Sequence, residues 1–208
     1  MYTIIDGGCF KNMLIGAYQM FEQKYEILNQ LNVFPVPDGD KGNNMLNTLK
    51  SMFSMISDVS ADEPVGMIAE KASAGAIMGA RGNSGVILSQ ILHGISRGLS
   101  GKKTASSTQV GKAFQYGILY AYRAVTQPVE GTILSVARGI AKGTHLVIRT
   151  EPDFSKVLAS AIERGNEALA KTPEQLKILK DANVVDAGGQ GLIFFLSGCL
   201  QGLTGRVE

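Results

Sequence analysis

The chain has 208 residues, 45% of them apolar, with 25 glycines, no tryptophan and a formal net charge of +2. That length suits one domain with a real core, and the scattered lysines and arginines form no basic stripe, so a nucleic-acid partner is not expected. Cys9 and Cys199 stand apart, with no second thiol or histidine nearby in sequence, which excludes a zinc ribbon or a disulfide framework and fits a reducing cytosol.

Taken in chain order, Phe10, Met13, Leu14, Ala17, Phe21, Tyr25 and Leu28 recur every three or four residues and predict a first helix over residues 8–30. An interruption follows, and a second helix is expected from near Asn44, carrying Met45, Leu49, Met52, Phe53 and Ile56. "PVGMIAEKASAGAIMGA" predicts a third, opened by Pro64 at an early helical position. "SGVILSQILHGISRGL" gives a fourth with Ser84 as N-cap. "STQVGKAFQYGILYAYRAV" and the shorter "EGTILSVARGIAKG" follow, then "DFSKVLASAIERGNEALAK" with Asp153 as its cap. "PEQLKILKDAN" and "GGQGLIFFLSGCLQGL" close the chain.

Strand signals are nearly absent; the short "THLVIRT" at Thr144–Thr150 has nothing to pair with. An all-α domain of about eight helices is therefore expected, spanning residues 1–208. The small residues Ala72, Ala74, Gly75, Ala76, Gly79 and Ala80 predict close helix–helix approach, and the eight methionines are read as core filling. No signal peptide opens the chain, and its longest apolar run, "LIFFLSGCL", is too short to cross a bilayer, so a cytoplasmic protein is expected. The closing "GLTGRVE" has no natural ending, which suggests the first part of a longer protein.

Three joints between helices carry chemistry-bearing residues. In "PVPDGDKGNNM", Asp38 and Asp40 flank a glycine and offer two hard oxygen ligands suited to Mg2+, while Gly39 and Gly42 let backbone amides approach an anion. A calcium EF-hand counted from Asp38 fails, because Asn43 and Leu49 stand where glycine and glutamate are needed. In "GARGNSG", free amides at a helix start and the Ser84 hydroxyl form either an anion site or a tight turn. No Gly-Lys-Ser/Thr follows, so it is not a Walker loop, and no strand precedes it as a Rossmann turn requires. In "NVVDAGGQG", Asp186 is at least a helix cap, and Thr132 in "PVEGTIL" is most simply a first-turn residue. Together, the three loops would aim several positive helix ends at one polyanion.

With those residues in view, the chain resembles the dihydroxyacetone kinase nucleotide-binding (DhaL-type) family, and within it the N-terminal domain of the bacterial fatty acid kinase ATP-binding subunit. The match rests on "LNVFPVPDGDKGNNM", "GARGNSGVILSQIL", "PVEGTILSVAR" and "DANVVDAGGQGL", in that order. The resemblance implies a barrel of eight amphipathic up-and-down helices with ATP across the loops at one end. It implies that Asp38 and Asp40 ligate a pair of Mg2+ ions, with Asn32 near a third ligand position. Asn43, Asn44, Asn83, Ser84 and Gly85 would cradle the phosphates; Thr132, Lys180, Asp186 and Gly188 would lie near the adenosine. The branch motif D-G-D-T-G-T-N-M has threonines where this chain has Lys41 and Asn43, and Lys41 would add a charge beside the phosphates.

Positioning and charge neutralisation supply most of the rate of phosphoryl transfer. Neither His93 nor His145 falls in the three loops, which suits an acceptor needing no general base, such as a fatty acid carboxylate held on a carrier protein. Arg81 is a candidate for stabilising the transferring charge, with a helix-end ion pair as the simpler reading. A dihydroxyacetone kinase subunit and a non-catalytic ATP-sensing domain remain the alternatives. The resemblance also suggests a homodimer formed through further regions of a longer protein.

Overall fold

The computed structural model describes residues 1–205, so the end of the "GLTGRVE" segment lies outside the described residues. Eight helices of twelve residues or more carry the fold: α1 (Gly7–Gln30), α2 (Lys41–Ile56), α3 (Val65–Gly79), α4 (Gly82–Leu99), α5 (Ser107–Arg123), α6 (Ile133–Thr144), α8 (Phe154–Ala170) and α11 (Ala187–Thr204). Short helices α7 (Val147–Thr150), α9 (Thr172–Gln175) and α10 (Lys177–Asp181) fill the later connections. The all-α class is as expected.

Three local readings are corrected. The second helix starts at Lys41, three residues before Asn44, so the glycine and asparagines after Asp40 are helical. The fourth starts at Gly82 with Arg81 at its N-cap, which puts Ser84 inside the first turn. "PEQLKILKDAN" is two short helices, broken where Leu176 turns extended (φ −131°, ψ 108°). "THLVIRT" is helical at both ends, in α6 and α7. The strands present are instead β1 (Ile4–Ile5) and β2 (Ala105–Ser106), antiparallel with Ile4 opposite Ser106, too short to leave a period in the sequence.

Each long helix packs on its chain neighbours, and α11 returns to lie along α1, so the pairwise contacts close into a ring. Inside it, Phe10, Phe21, Phe154, Phe195, Met45, Leu49 and Met52 are fully buried, each large side chain contributing about 1.5–3 kcal/mol. The methionine expectation holds for half of them. Met13, Met20, Met45 and Met52 are buried, whereas Met1, Met55, Met67 and Met78 are exposed. Small residues set the closest approaches. A Cβ on Gly75 would sit 2.6 Å from the Ser51 carbonyl oxygen, and one on Gly198 would sit 2.5 Å from Ala17 Cα, although Ala74 faces outward.

One end of the ring is knitted together. The β1–β2 pair joins there, Phe154 N donates to Tyr2 O, and Lys11 Nζ donates to the Ser57 and Val59 carbonyls (2.7 and 2.6 Å). The connections at the other end line a cleft. Among the described residues no helix is long and apolar enough to cross a membrane.

Candidate functional site

The cleft, about 380 Å3, lies where α2, α4, α6 and α11 all begin. The loop before α2 contributes Phe34, Pro35 and then Lys41; α4 contributes Asn83, Ser84, Val86 and Ile87. The starts of α6 and α11 contribute Thr132 to Leu134, Asp186 and Gly188. The predicted residues Lys41, Asn83, Ser84, Thr132, Asp186 and Gly188 therefore share one surface, although they come from four separate stretches of chain.

Four positive helix ends meet here, and how each is satisfied differs. At α2, Asn29 on the preceding helix accepts from the Gly42 and Asn43 amides (2.8 and 3.3 Å). Asp40 sits at the N-cap of α2, yet its side chain caps nothing, so its carboxylate stays available. At α11, Asp186 accepts from Gly189 N at 2.7 Å while only 2% exposed, and Thr172 Oγ1 accepts from the Asp186 amide at 3.1 Å. At α6, Thr132 donates its hydroxyl to Val129 O (2.8 Å) instead of capping. At α4, Arg81 provides no side-chain cap. Its first-turn amides, at Asn83 and Ser84, are the part of this end best left for an anion.

The acidic loop has a built interior. Gly39 adopts φ +67°, a left-handed turn that glycine enters without strain, and this separates Asp38 from Asp40. Both carboxylates are exposed. Asn32 is 5% exposed and donates Nδ2 to Asp38 Oδ1 at 2.6 Å. Its own Oδ1 is buried with no hydrogen-bond partner. A buried acceptor left open costs about 1–3 kcal/mol unless something else meets it. Desolvation raises the Asp38 pKa, but the Asn32 amide and Asp40 together outweigh it, so the net direction is below the ordinary carboxylate value.

Lys41 reaches across the cleft mouth. Its Nζ donates to Phe34 O at 2.6 Å, and the side chain is half-buried. Burial lowers its pKa, opposed by the charges of Asp186, Asp38 and Asp40. Burial raises the Asp186 pKa, opposed first by Lys41 and then by the Gly189, Ile133 and Gly188 amides. In each group burial outweighs the attraction of the other, so the net direction is downward for Lys41 and upward for Asp186.

Other predicted residues fall beside the cleft lining. Asn43 is exposed; Asn44 lies under the start of α4, its Nδ2 filling the space a Cβ on Gly82 would need (2.6 Å). Gly85 is where α4 touches α2, since a Cβ there would stand 2.6 Å from Thr48 Oγ1. Arg81 donates to Ala80 O at 2.8 Å, placing its charge on the negative end of α3. Lys180, on α10, is exposed and off the lining. His93 is held elsewhere, 3.1 Å from Ser73 Oγ. Sequence reasoning missed Asn29 and the apolar wall from the α5–α6 connection, Val125 and Val129 beside Thr126 and Gln127. The proline and glycine in "TQPVEG" mark that break as clearly as the loops that were noticed.

Magnesium chemistry fits these residues. Two exposed carboxylates and an unpartnered amide oxygen are hard donors, and no group of three His, Cys, Asp or Glu side chains forms a cage among the described residues. An ion there would complete its shell with water and phosphate, as Mg2+ ordinarily does.

A family model described as the DAK2 domain matches residues 35–201. Protein YloV of Bacillus subtilis is 40% identical over 202 residues, 97% of this chain and 36% of its own length. An uncharacterized protein of Staphylococcus epidermidis is 40% identical over 206 residues, 99% of this chain and 37% of its own. The chain thus spans little more than a third of the curated relatives it matches. The crystal structure of the dihydroxyacetone kinase from C. freundii in complex with AMP-PNP and Mg2+ matches with a TM-score of 0.68 at 15% identity, covering 92% of this chain and 33% of that one. That likeness is one of fold.

Proposed function

Because this chain belongs to the DAK2 domain family, we propose that its cleft binds ATP with Mg2+ and that the domain, residues 1–208, transfers the γ-phosphoryl group. The observation that carries this is the pairing of Asp38 and Asp40 with the open Asn32 oxygen, on the same end of the fold as the uncapped start of α4. Asp38, Asp40 and Asn32 would hold the metal, whose charge neutralises the phosphates and polarises the transferring group. Asn83 and Ser84 would receive phosphate oxygens, with Asn43 and Asn44 beside them. The apolar wall of Val125, Val129 and Ile133 would take the base, with Thr132 and Gly188 near the ribose. Asp186 holds the start of α11 in place beside Lys41 rather than meeting the ligand directly.

The acceptor we favour is a fatty acid carboxylate presented by a carrier protein. Its oxygen attacks the γ-phosphorus, the bond to the β-phosphate oxygen breaks, and acyl phosphate and ADP result. Among the described residues no histidine lines the cleft, and its Lys41 and Asp186 are already bonded to backbone groups, Phe34 O and Gly189 N. A carboxylate, ionised at neutral pH, needs no base there. The fold likeness to a dihydroxyacetone kinase supports that ketone as the second candidate acceptor.

Calorimetry with AMP-PNP tests the site. The unchanged chain is expected to bind in Mg2+ and not in EDTA. Asp38→Ala or Asp40→Ala should abolish the Mg2+-dependent binding while circular dichroism keeps its helical signal; normal binding by both variants would dismiss the metal assignment. Product assays with carrier-bound fatty acid against dihydroxyacetone then decide the acceptor.

A further inference from the structure

We infer that the Lys41 ammonium fills one of the cation places of the site, so that nucleotide binds here with a single divalent ion rather than a pair. The inference rests on the nucleotide reading above and concerns how that site balances charge.

Lys41 is the first residue of α2 and lines the same cleft as Asn83, Ser84 and Asp186. Its Nζ is anchored 2.6 Å from Phe34 O. An ammonium has three donors, so two remain for phosphate oxygens. The protein oxygens offered to a divalent ion are the exposed carboxylates of Asp38 and Asp40 and the buried, unpartnered Asn32 Oδ1, and no group of three His, Cys, Asp or Glu side chains exists among the described residues. Gathered on one ion, they make half of a six-coordinate shell, with phosphate and water for the rest. A second ion would compete with a tethered ammonium for the same phosphate oxygens. The ammonium is covalently attached and already in position, so it adds nothing to the entropy of binding.

The test counts ions. With Mn2+ as the probe metal, equilibrium dialysis and electron paramagnetic resonance of the unchanged chain with AMP-PNP should give one ion per bound nucleotide. Lys41→Thr should take up two, or bind about tenfold more weakly at low metal and recover as metal is raised. Lys41→Arg, which keeps the charge, should stay at one. Two ions per nucleotide in the unchanged chain would overturn the inference, as would a Lys41→Thr variant with unaltered affinity and metal dependence. Binding with two ions would leave the nucleotide reading standing; no nucleotide binding at any metal concentration would remove both.

Discussion

The Asp153 carboxyl, 8% exposed, accepts from the Tyr2 and Ser155 amides (3.0 and 3.1 Å) and from the Ser155 hydroxyl (2.8 Å). It caps α8 and ties down the N-terminal strand in one contact. Desolvation raises its pKa, but those donors outweigh it and the net direction is downward. A carboxylate with a depressed folded pKa stabilises above its unfolded value, near 3.9, and the contribution is lost as pH falls through the folded value. Asp153→Ala should therefore cost about 1–2 kcal/mol in urea titrations at pH 7, and the gap from the unchanged chain should close in acid below about pH 4. Sequence reasoning found this cap, because Asp before a periodic run is a local signal. Ser84 was found in the right place with the wrong role: it lies in the first turn, not at its edge. Calorimetry of Ser84→Ala should show nucleotide affinity reduced by about tenfold or less, since backbone donors remain; unchanged affinity would make Ser84 a packing residue.

At the scale of elements, the period-3.6 pattern located every long helix to within a few residues. It misplaced starts where polar residues open a helix, as at Lys41 and Gly82, because the first turn buries little and leaves no apolar signature. What joins the helices was less legible. The contact of α1 with α11 depends on Gly16, Gly198 and Gly202. Gly198→Ala should lower stability by about 1–3 kcal/mol or more, read as an earlier urea midpoint. Gly101→Ala is the comparison. It has φ +72° and nothing within 4 Å of its Cβ position, so only backbone strain, about 1–2 kcal/mol, should appear.

Over the whole molecule, a ligand seated across the starts of α2, α4, α6 and α11 binds only the folded chain, because those starts come from remote parts of the sequence. AMP-PNP at a hundred times its dissociation constant should add about 2.7 kcal/mol. For a domain of this size that raises the melting temperature by roughly 5–10 °C in Mg2+, and EDTA should erase the shift in a thermal scan.

The amino-acid order alone determined the helical class, the approximate helix positions and the two carboxylates beside Gly39, since periodicity, capping and turn chemistry act over a few residues. Only the tertiary structure decided that Asn29 satisfies α2 and frees Asp40, that Asp186 caps α11 from inside the cleft that Lys41 also lines, and that Val125 and Val129 complete the cleft. Such contacts arise when helices close into a ring, and which amide or oxygen is left over is settled by neighbours far away along the chain.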